Sequence, residues 1–263
     1  MIETNKNKYW TLAFKAYTRR YLAKHFFRVH FANENPTLKF DGTIPTIGIM
    51  NHSSWWDVLI SFYLTNHLLP FDSYGVMDEP QLQRYRFFSK VGLYSVNRES
   101  GLTGIKEFLS YSQKLLTAAP NRIVWVCPQG DLVSNDLRPI RFFPGVAHLV
   151  KHLGRCQVLP LALDYEFCQE PQPEAFALLG KPILFESSRK TDAEKLNKQL
   201  EEAMTRLMDQ LKEKTKQRDF SSFTPLVSGK KGIHKIYDTV TRLRFRLQGK
   251  NFHRTHGTYE SKT

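Results

Sequence analysis

The chain has 263 residues, with 38 Lys and Arg against 25 Asp and Glu, so its formal net charge is +13 at pH 7. This length can bury a sizeable core and fits one large α/β unit. The positive charge predicts attraction to a polyanionic partner, either nucleic acid or anionic lipid. No uninterrupted apolar run approaches the roughly 20 residues that a spanning helix needs, so the sequence predicts no transmembrane segment.

Residues 1–40 combine large aromatic and basic side chains. These are Tyr9, Trp10, Phe14, Tyr17, Tyr21, Phe26, Phe27 and Phe31, with Lys8, Lys15, Arg19, Arg20, Lys24 and Arg28. No acidic residue stands between Lys8 and Ala32. Aromatic rings favour the level of lipid head groups and cations favour anionic lipid, so we expect a membrane-associating arm that forms a helix on the bilayer surface. The alternative is an amphipathic helix that packs on its own domain.

The N-terminal segment lacks the compact apolar region and the small-residue cleavage site of a secretory signal. Cys127, Cys156 and Cys168 are odd in number and widely spaced. This pattern fits reduced thiols better than a disulfide framework or a zinc site. We therefore expect a peripheral protein on the cytoplasmic face of a membrane.

Alternating extended and helical patterns follow, from residue 41 to residue 215. Strands are predicted at 46–50, 92–97, 122–127 and 158–165, with two short extended pieces within 176–185. Helices are predicted at 57–64, 103–117 and 146–153, and a long amphipathic helix follows a capping box of Thr191 and Glu194. This alternation predicts an α/β fold in which helices cover a mixed sheet, with functional turns at the strand ends.

Residues 216–263 form a predicted C-terminal tail, in which basic residues are interspersed with apolar ones from Ser228 onward. Two interpretations stay open, a second membrane-facing amphipathic helix and a solvated, partly disordered tail. The predicted organisation is therefore a basic and aromatic arm at 1–40, a central domain at 41–215 and a basic tail at 216–263.

The most informative motif is Asn51-His52-Ser53-Ser54-Trp55-Trp56-Asp57, directly after the extended run at 44–50. A carboxylate that is hydrogen-bonded to one imidazole nitrogen leaves the other nitrogen free to take a proton from an alcohol, which is half of an acyl-transfer site. The simpler interpretation is a helix start, where Ser54 and Asp57 form a capping box. The two interpretations are compatible.

A second turn, Pro128-Gln129-Gly130-Asp131, follows the strand predicted at 122–127. Its glycine lets the backbone approach a ligand closely, and Gln129 and Asp131 offer hydrogen-bonding groups at the end of the strand. Alone, this sequence is typical of an ordinary turn. Its significance comes from the blocks that accompany it in chain order, which are His52 with Asp57, Arg98 after 92–97, this turn, and Val158-Leu159-Pro160.

In this order the blocks resemble those of the lysophospholipid (glycerolipid) acyltransferase family. That family has a His-x4-Asp block, a Gly-containing block that ends in Arg, a Phe-Pro-Glu-Gly-Thr-Arg-Ser block and a Val-x-Pro block. The likeness covers residues 44–185. It implies an acyltransferase-like fold, with His52 as general base, Asp57 as the residue that orients it, and Arg98 with Gln129 and Gly130 helping to hold the acceptor.

The third block departs from the family pattern. Gln129-Gly130-Asp131-Leu132-Val133 stands where the family has Glu-Gly-Thr-Arg-Ser, so leucine replaces the phosphate-binding arginine. Asp131 repels a phosphate dianion, whereas amide and carboxylate groups suit the hydroxyls of a sugar or polyol. We therefore expect the acceptor to be a membrane lipid with a free hydroxyl, with a glycolipid such as a glycosylated terpenoid or carotenoid as one candidate. If Arg138 or Arg141 replaces the missing arginine, the acceptor is instead 1-acylglycerol 3-phosphate, as in phospholipid biosynthesis.

The resemblance implies direct transfer from acyl-CoA or acyl carrier protein as donor, with no further cofactor. His52 removes the acceptor proton as the oxygen attacks the thioester, and backbone N–H groups or nearby donors meet the oxyanion. The chain has no Gly-x-Ser-x-Gly elbow, which argues against an α/β-hydrolase mechanism. The expected partners are the donor, a membrane surface and its lipid acceptor, and no nucleic acid is expected.

A protein of another class is the main alternative, namely a non-catalytic protein that binds a membrane surface or nucleic acid through its basic ends. His148 and His152 lie four apart on a predicted helix, but Leu149 stands where the His-Glu-x-x-His metal motif has glutamate. We therefore predict no metal site. Trp55 and Trp56 either shape an acyl or lipid entrance or pack in the core, as large aromatic residues beside a helix start more often do, and neither is assigned a catalytic role.

Overall fold

A computed structural model describes residues 1–37 and 40–229 of the chain. The first half contains α1 (Lys8–His25), β1 (Arg28–Asn33), β2 (Thr46–Met50), α2 (Trp56–Leu68), β3 (Asp72–Asp78), α3 (Glu79–Arg84), a 3-10 helix (Arg86–Val91) and β4 (Leu93–Val96). The second half contains α4 (Gly101–Thr117), β5 (Arg122–Val126), α5 (Gly145–Leu153), β6 (Cys156–Glu166), β7 (Glu174–Leu179), β8 (Ile183–Phe185), α6 (Ala193–Gln217) and β9 (Thr224–Ser228). Within these residues, the strands form one mixed nine-stranded sheet.

The sheet runs in the order β4-β3-β5-β2-β6-β7-β1-β9, and β8 also pairs with β6. Strands β4, β3, β5, β2 and β6 are parallel, whereas β7 and β8 run antiparallel to β6. β1 is parallel to β7, and β9 is antiparallel to β1. The carboxyl ends of the five parallel strands therefore meet at one edge, which is where ligands bind in open α/β sheets.

Helices cover both faces of the sheet. On one face, α4, α5 and α6 join a buried core that includes Ile49 and Leu200. On the other face, α1 and α2 join a second core that includes Leu22, Ile60 and Leu161. All five residues of β2 are buried, because this central strand has an apolar layer on each side. Its sequence is accordingly almost continuously apolar instead of alternating.

The elements around the motifs are confirmed within a few residues. The strand predicted at 46–50 has these bounds in the structure, the helix predicted at 57–64 extends over Trp56–Leu68, and the helix predicted to end at 117 does so. The two extended pieces predicted within 176–185 correspond to β7 and β8. The prediction of an α/β fold with a mixed sheet covered by helices is confirmed.

The prediction that Thr191 begins the long helix α6 is wrong. The N-cap is Asp192, whose carboxylate accepts a hydrogen bond from the backbone N–H of Glu194 at 3.3 Å. A carboxylate at this position accepts from the free N–H groups and also faces the positive end of the helix dipole, which favours it over a hydroxyl. Strands β3 and β9 were not predicted from the sequence, because their polar residues, glycine and proline weaken a strand pattern.

Strands β1 and β9 lie within the segments predicted as arm and tail, and both join the central sheet. β1 is held to β7 by a buried contact between His30 Nε2 and Glu174 Oε2 at 2.5 Å. The His30 ring also stacks on Phe176, with 4.6 Å between the ring centroids. The second basic helix considered for the tail falls almost wholly on residues 230–263, which lie outside the described residues.

Helix α1 packs on the domain with one side and exposes the other. Thr18 and Leu22 are buried, and the Phe14 ring lies edge-on to Phe62 with 4.9 Å between centroids. The exposed side, which we call the outer surface of α1, consists of Tyr9, Trp10, Leu12, Tyr17, Arg19, Arg20 and Lys24. Among the helices that the structure describes, none is both long and apolar enough to cross a bilayer.

Candidate active site

The His52 imidazole and the Asp57 carboxylate meet at the carboxyl end of β2. Strand β2 ends at Met50 and α2 begins at Trp56, so both residues lie in or beside one short turn. His52 Nδ1 lies 3.0 Å from Asp57 Oδ2. Because an ionised carboxylate can only accept, Nδ1 carries the proton and Nε2 presents its lone pair. Nε2 has no hydrogen-bond partner among the described residues, and the His52 side chain is 21% exposed.

Asp57 is fully buried and is held by four donors. Its Oδ2 accepts hydrogen bonds from the backbone N–H groups of Ser53 and Ser54, each at 2.8 Å, in addition to the contact with His52. Its Oδ1 accepts from the Tyr165 hydroxyl at 2.5 Å. These contacts compensate for the loss of water around a buried charge and fix the carboxylate against the imidazole.

Both interpretations of the motif describe part of this turn. Asp57 reaches back to the N–H of Ser54, as the acidic residue of a capping box does. The Ser54 hydroxyl does not accept from the Asp57 N–H as a full capping box requires, but from the N–H of Trp56 at 3.3 Å. The carboxylate that closes the start of α2 is therefore also the group that orients His52.

Tyr165 on β6 was not identified from the sequence. Burial and the Asp57 charge raise the pKa of its hydroxyl well above the ordinary value, so it stays protonated and donates. Tyr165 lies 108 positions after Asp57, and only the pairing of β6 beside β2 brings the two together. Tyr165 is thus a positioning residue for Asp57.

Replacing Tyr165 with phenylalanine is expected to lower kcat of the acyl transfer proposed below by about tenfold while leaving KM nearly unchanged, because Asp57 loses one of its anchors. Tyr94→Phe is the matched control, since the Tyr94 hydroxyl is also hydrogen-bonded, at 2.6 Å from Ser112, but lies away from His52. Both variants should lose about 1 kcal/mol of unfolding free energy in urea titrations. Equal kcat values for the two variants would refute the positioning role.

Gln129 is buried and holds the backbone of the histidine. Its Oε1 accepts a hydrogen bond from the His52 N–H at 2.7 Å. An amide makes this bond without adding a second negative charge beside Asp57. The sequence analysis assigned Gln129 to the acceptor, and the structure gives it this additional structural contact.

Gly130 occupies a position that only glycine fits. Its φ is +77°, and a Cβ atom there would lie 2.6 Å from the Phe143 ring and 3.1 Å from Arg98 Nη1. Its carbonyl oxygen accepts a hydrogen bond from Arg98 Nη1 at 3.0 Å. The turn after β5 therefore connects the two parts of the site, because Gln129 contacts His52 and the next residue contacts Arg98.

Three acceptor atoms lie beside the Arg98 guanidinium, whose side chain is 45% exposed. Asp131 Oδ1 lies 3.4 Å from both Nη1 and Nη2, and Asp78 Oδ1 lies 3.5 Å from Nε. The structure thus brings together Arg98, Gly130 and Asp131, as the sequence predicts. It adds Asp78, which the sequence analysis missed because it ends the unpredicted strand β3.

A second polar network fixes the residues that follow Gly130. The fully buried Asn51 exchanges hydrogen bonds with the backbone of Leu163, and its Nδ2 donates to Asn135 Oδ1 at 2.6 Å. Asn135 in turn donates to the Leu163 carbonyl at 3.0 Å. The N–H of Val133 donates to the His52 carbonyl at 2.7 Å. The loop after Gly130 is therefore held directly across the His52 turn.

The cysteine thiols of the described chain are unpaired, and none is activated as a nucleophile. Burial, followed by the charge of Asp57, raises the pKa of Cys127 far above its ordinary value. Burial also raises the pKa of Cys156 to about 12 and that of Cys168 to about 11. Thiols with such pKa values are protonated at neutral pH and react slowly.

Other residues that the sequence singled out lie outside the His52 site. His152 is exposed and its Nε2 lies 2.6 Å from Gln113 Oε1. Over residues 1–37 and 40–229, no group of three or more His, Cys, Asp and Glu side chains forms a metal-binding cluster.

Arg138 donates to Asp209 at 2.6 and 2.9 Å, and Arg141 is largely exposed with its Nη1 3.9 Å from Glu201. Trp55 is 55% exposed, so it does not serve in core packing.

Comparisons with known proteins give no family for this chain. It matches no protein-family model, and a search of curated proteins finds no significant match.

Proposed function

We propose that this protein is an O-acyltransferase that moves a fatty acyl group from acyl-CoA or acyl carrier protein to a hydroxyl of a membrane lipid. The observation that carries the proposal is the buried Asp57 carboxylate, which holds the His52 ring with Nε2 unoccupied. A histidine with one nitrogen bound to a carboxylate and the other free is suited to general base catalysis near neutral pH.

In the proposed reaction, His52 Nε2 takes the proton of the acceptor hydroxyl while its oxygen attacks the thioester carbonyl carbon. The tetrahedral intermediate collapses with cleavage of the C–S bond, and the imidazolium returns the proton to the leaving thiolate. Asp57 stabilises the imidazolium between these steps, as a carboxylate does in other His–Asp pairs. The products are an ester and a free thiol, so the step balances without a further reactant.

Direct attack by the acceptor is favoured over a covalent enzyme intermediate. The cysteine thiol nearest in sequence to the Pro128-Gln129-Gly130 turn is Cys127, whose pKa is raised by burial. None of the described hydroxyl or thiol groups is hydrogen-bonded to His52 Nε2 as an enzyme nucleophile would be. The substrate hydroxyl is therefore the group that His52 activates.

The experiment that tests this proposal follows thiol release from acyl-CoA, and from acyl carrier protein in parallel, with the purified full chain. Addition of vesicles that contain hydroxyl-bearing lipids is expected to raise the release rate and to yield one ester per thiol released. Thiol release that does not depend on the lipid would instead indicate a hydrolase. If neither donor is consumed with any lipid, the protein is not a transferase of these donors.

Membrane attachment is part of the proposal and places the site at the cytoplasmic face of a membrane. Its support is the outer surface of α1, which combines exposed rings with three cations. Tyr21 on α1 and Trp55 at the start of α2 lie with their ring centroids 6.2 Å apart. The α1 surface thus continues to the turn that bears His52, where a lipid acceptor has to arrive.

Removing the cations Arg19, Arg20 and Lys24 together by alanine substitution is expected to lower partitioning onto phosphatidylglycerol vesicles about a hundredfold, at roughly 1 kcal/mol per cation. The matched control removes Lys195, Lys198 and Lys216 from α6, which packs on the other face of the sheet. Vesicle sedimentation at fixed ionic strength measures both. An equal loss for the two triple variants would show that net charge acts without a specific α1 surface.

The same surface favours a second candidate function, in which the protein binds membranes without catalysis. That candidate predicts vesicle binding by the wild type with no ester from any acceptor and donor. Binding by His52→Ala does not separate the two candidates, because His52 lies outside the α1 surface.

A further inference from the structure

The acids around Arg98 bear on the chemical class of the acceptor. Every nitrogen of the guanidinium lies within 3.5 Å of an acceptor atom, namely the Gly130 carbonyl oxygen, Asp131 Oδ1 or Asp78 Oδ1. One arginine therefore lies beside two carboxylates, and this cluster has a net charge of −1.

We infer that the acceptor carries an uncharged, hydroxyl-bearing head group, and that Asp78 and Asp131 exclude phosphorylated acceptors by occupying Arg98. This inference rests on the proposed acyl transfer and names the substrate class of the same site. Phosphate recognition by arginine uses a free guanidinium fork that donates two parallel hydrogen bonds. Here the fork already donates to Asp131 and Gly130.

Of the two arginines considered as replacements for the missing phosphate ligand, Arg138 is hydrogen-bonded elsewhere and Arg141 is largely exposed. Arg138 is bound to Asp209 on α6 and donates to the carbonyls of Asn135 and Leu137. Arg141 lies near Glu201 on the same helix. Position 132, next to the Arg98 cluster, is an exposed leucine. A phosphate dianion at this cluster therefore meets net negative charge.

The same groups are suited to hydroxyls. The carboxylates of Asp78 and Asp131 are 36% and 70% exposed, so both can accept hydrogen bonds from a ligand. Carboxylates and carbonyls accept from the O–H groups of a sugar or glycerol, and these donors carry no charge that the cluster repels. The chemistry of the cluster therefore matches a glycolipid or another polyol lipid.

The test compares acceptors with and without a phosphate. Wild-type protein is incubated with labelled acyl-CoA or acyl carrier protein as donor. The acceptors, each supplied separately in the same neutral vesicles, are 1-acylglycerol, its 3-phosphate and a monoglucosyl lipid. We expect kcat/KM for the uncharged acceptors to exceed that for the 3-phosphate by about tenfold or more, as like-charge exclusion produces. Equal values, or a preference for the phosphate, would overturn this inference and leave the proposed transfer intact.

A second variant set tests the residues themselves. Asp78→Asn combined with Asp131→Asn removes both negative charges beside Arg98 and should raise kcat/KM for the 3-phosphate about tenfold relative to 1-acylglycerol. Asp136→Asn, an exposed change in the same loop, removes one negative charge and should not alter this ratio. An unchanged ratio in the double variant would refute the role of the two acids. Absence of ester with every acceptor would overturn the proposed function itself.

Discussion

Acyl transfer by His52→Ala is expected to fall about a thousandfold in kcat, within the range that a general base contributes. The reason is that no other base is bound to Asp57 in this turn, so the acceptor hydroxyl keeps its proton during attack. The fold should survive, because Asp57 retains Ser53, Ser54 and Tyr165 as donors. Initial rates of ester formation at saturating donor and acceptor measure the effect, with circular dichroism as the check on folding.

The matched control is His152→Ala, which removes an exposed histidine on α5. This variant should keep wild-type kcat within about twofold, since surface substitutions of this kind have small effects. A His52→Ala protein that is folded and turns over at the wild-type rate would remove His52 from the mechanism.

The second large effect is expected from Asp57, where activity and stability fall together. Asp57→Ala leaves the N–H groups of Ser53 and Ser54 and the Tyr165 hydroxyl without their acceptor in a buried site. Each buried donor left without a partner costs about 1–3 kcal/mol, so the free energy of unfolding should fall by about 3 kcal/mol or more. Activity should fall at least as far as in His52→Ala, because His52 then loses both its orientation and the charge that stabilises its imidazolium.

Asp57→Asn separates the two contributions. The amide keeps the size of the side chain and one accepting oxygen, so the loss of stability should be smaller than in Asp57→Ala, whereas the loss of activity should be similar. Asp209→Ala serves as control, since it removes only an exposed ion pair with Arg138 and should cost less than about 1 kcal/mol. Urea unfolding and initial rates provide the two measurements. Wild-type stability in folded Asp57→Ala would contradict the buried network described here.

The sequence predicts those parts of the site that depend on local spacing. Asp57 follows His52 by five positions, and α2 begins between them. Their contact is therefore made within one turn, and the residue types in this segment indicate that turn. Strands β2, β5 and β6 are buried by helices on both sides, and buried strands of this kind have apolar runs that are easily recognised. The carboxyl edge of the sheet, where these residues lie, could therefore be anticipated.

The contacts that the sequence could not predict are distant in the chain. Tyr165 donates to a carboxylate 108 positions away, and the strand register alone decides which β6 side chain reaches it. Asp78 ends β3, a strand that has a glycine at its centre and an aspartate at each end. The local residue preferences do not indicate a strand here, and β3 is stabilised by its pairing with β4 and β5. Strand β1 is a similar case. Its basic and aromatic sequence led to the prediction of a surface arm, whereas parallel pairing with β7 places it in the sheet.

The proposed function requires the protein itself to transfer an acyl group from a thioester to a lipid hydroxyl. The most direct measurement is mass-spectrometric detection of an isotopically labelled acyl ester after incubation of the purified full chain with labelled acyl-CoA or acyl carrier protein and vesicles of a glucosyl lipid. We expect labelled ester only when the donor, the lipid and intact His52 are present together. Labelled free fatty acid without ester, or ester formed equally by His52→Ala, would refute the proposed function.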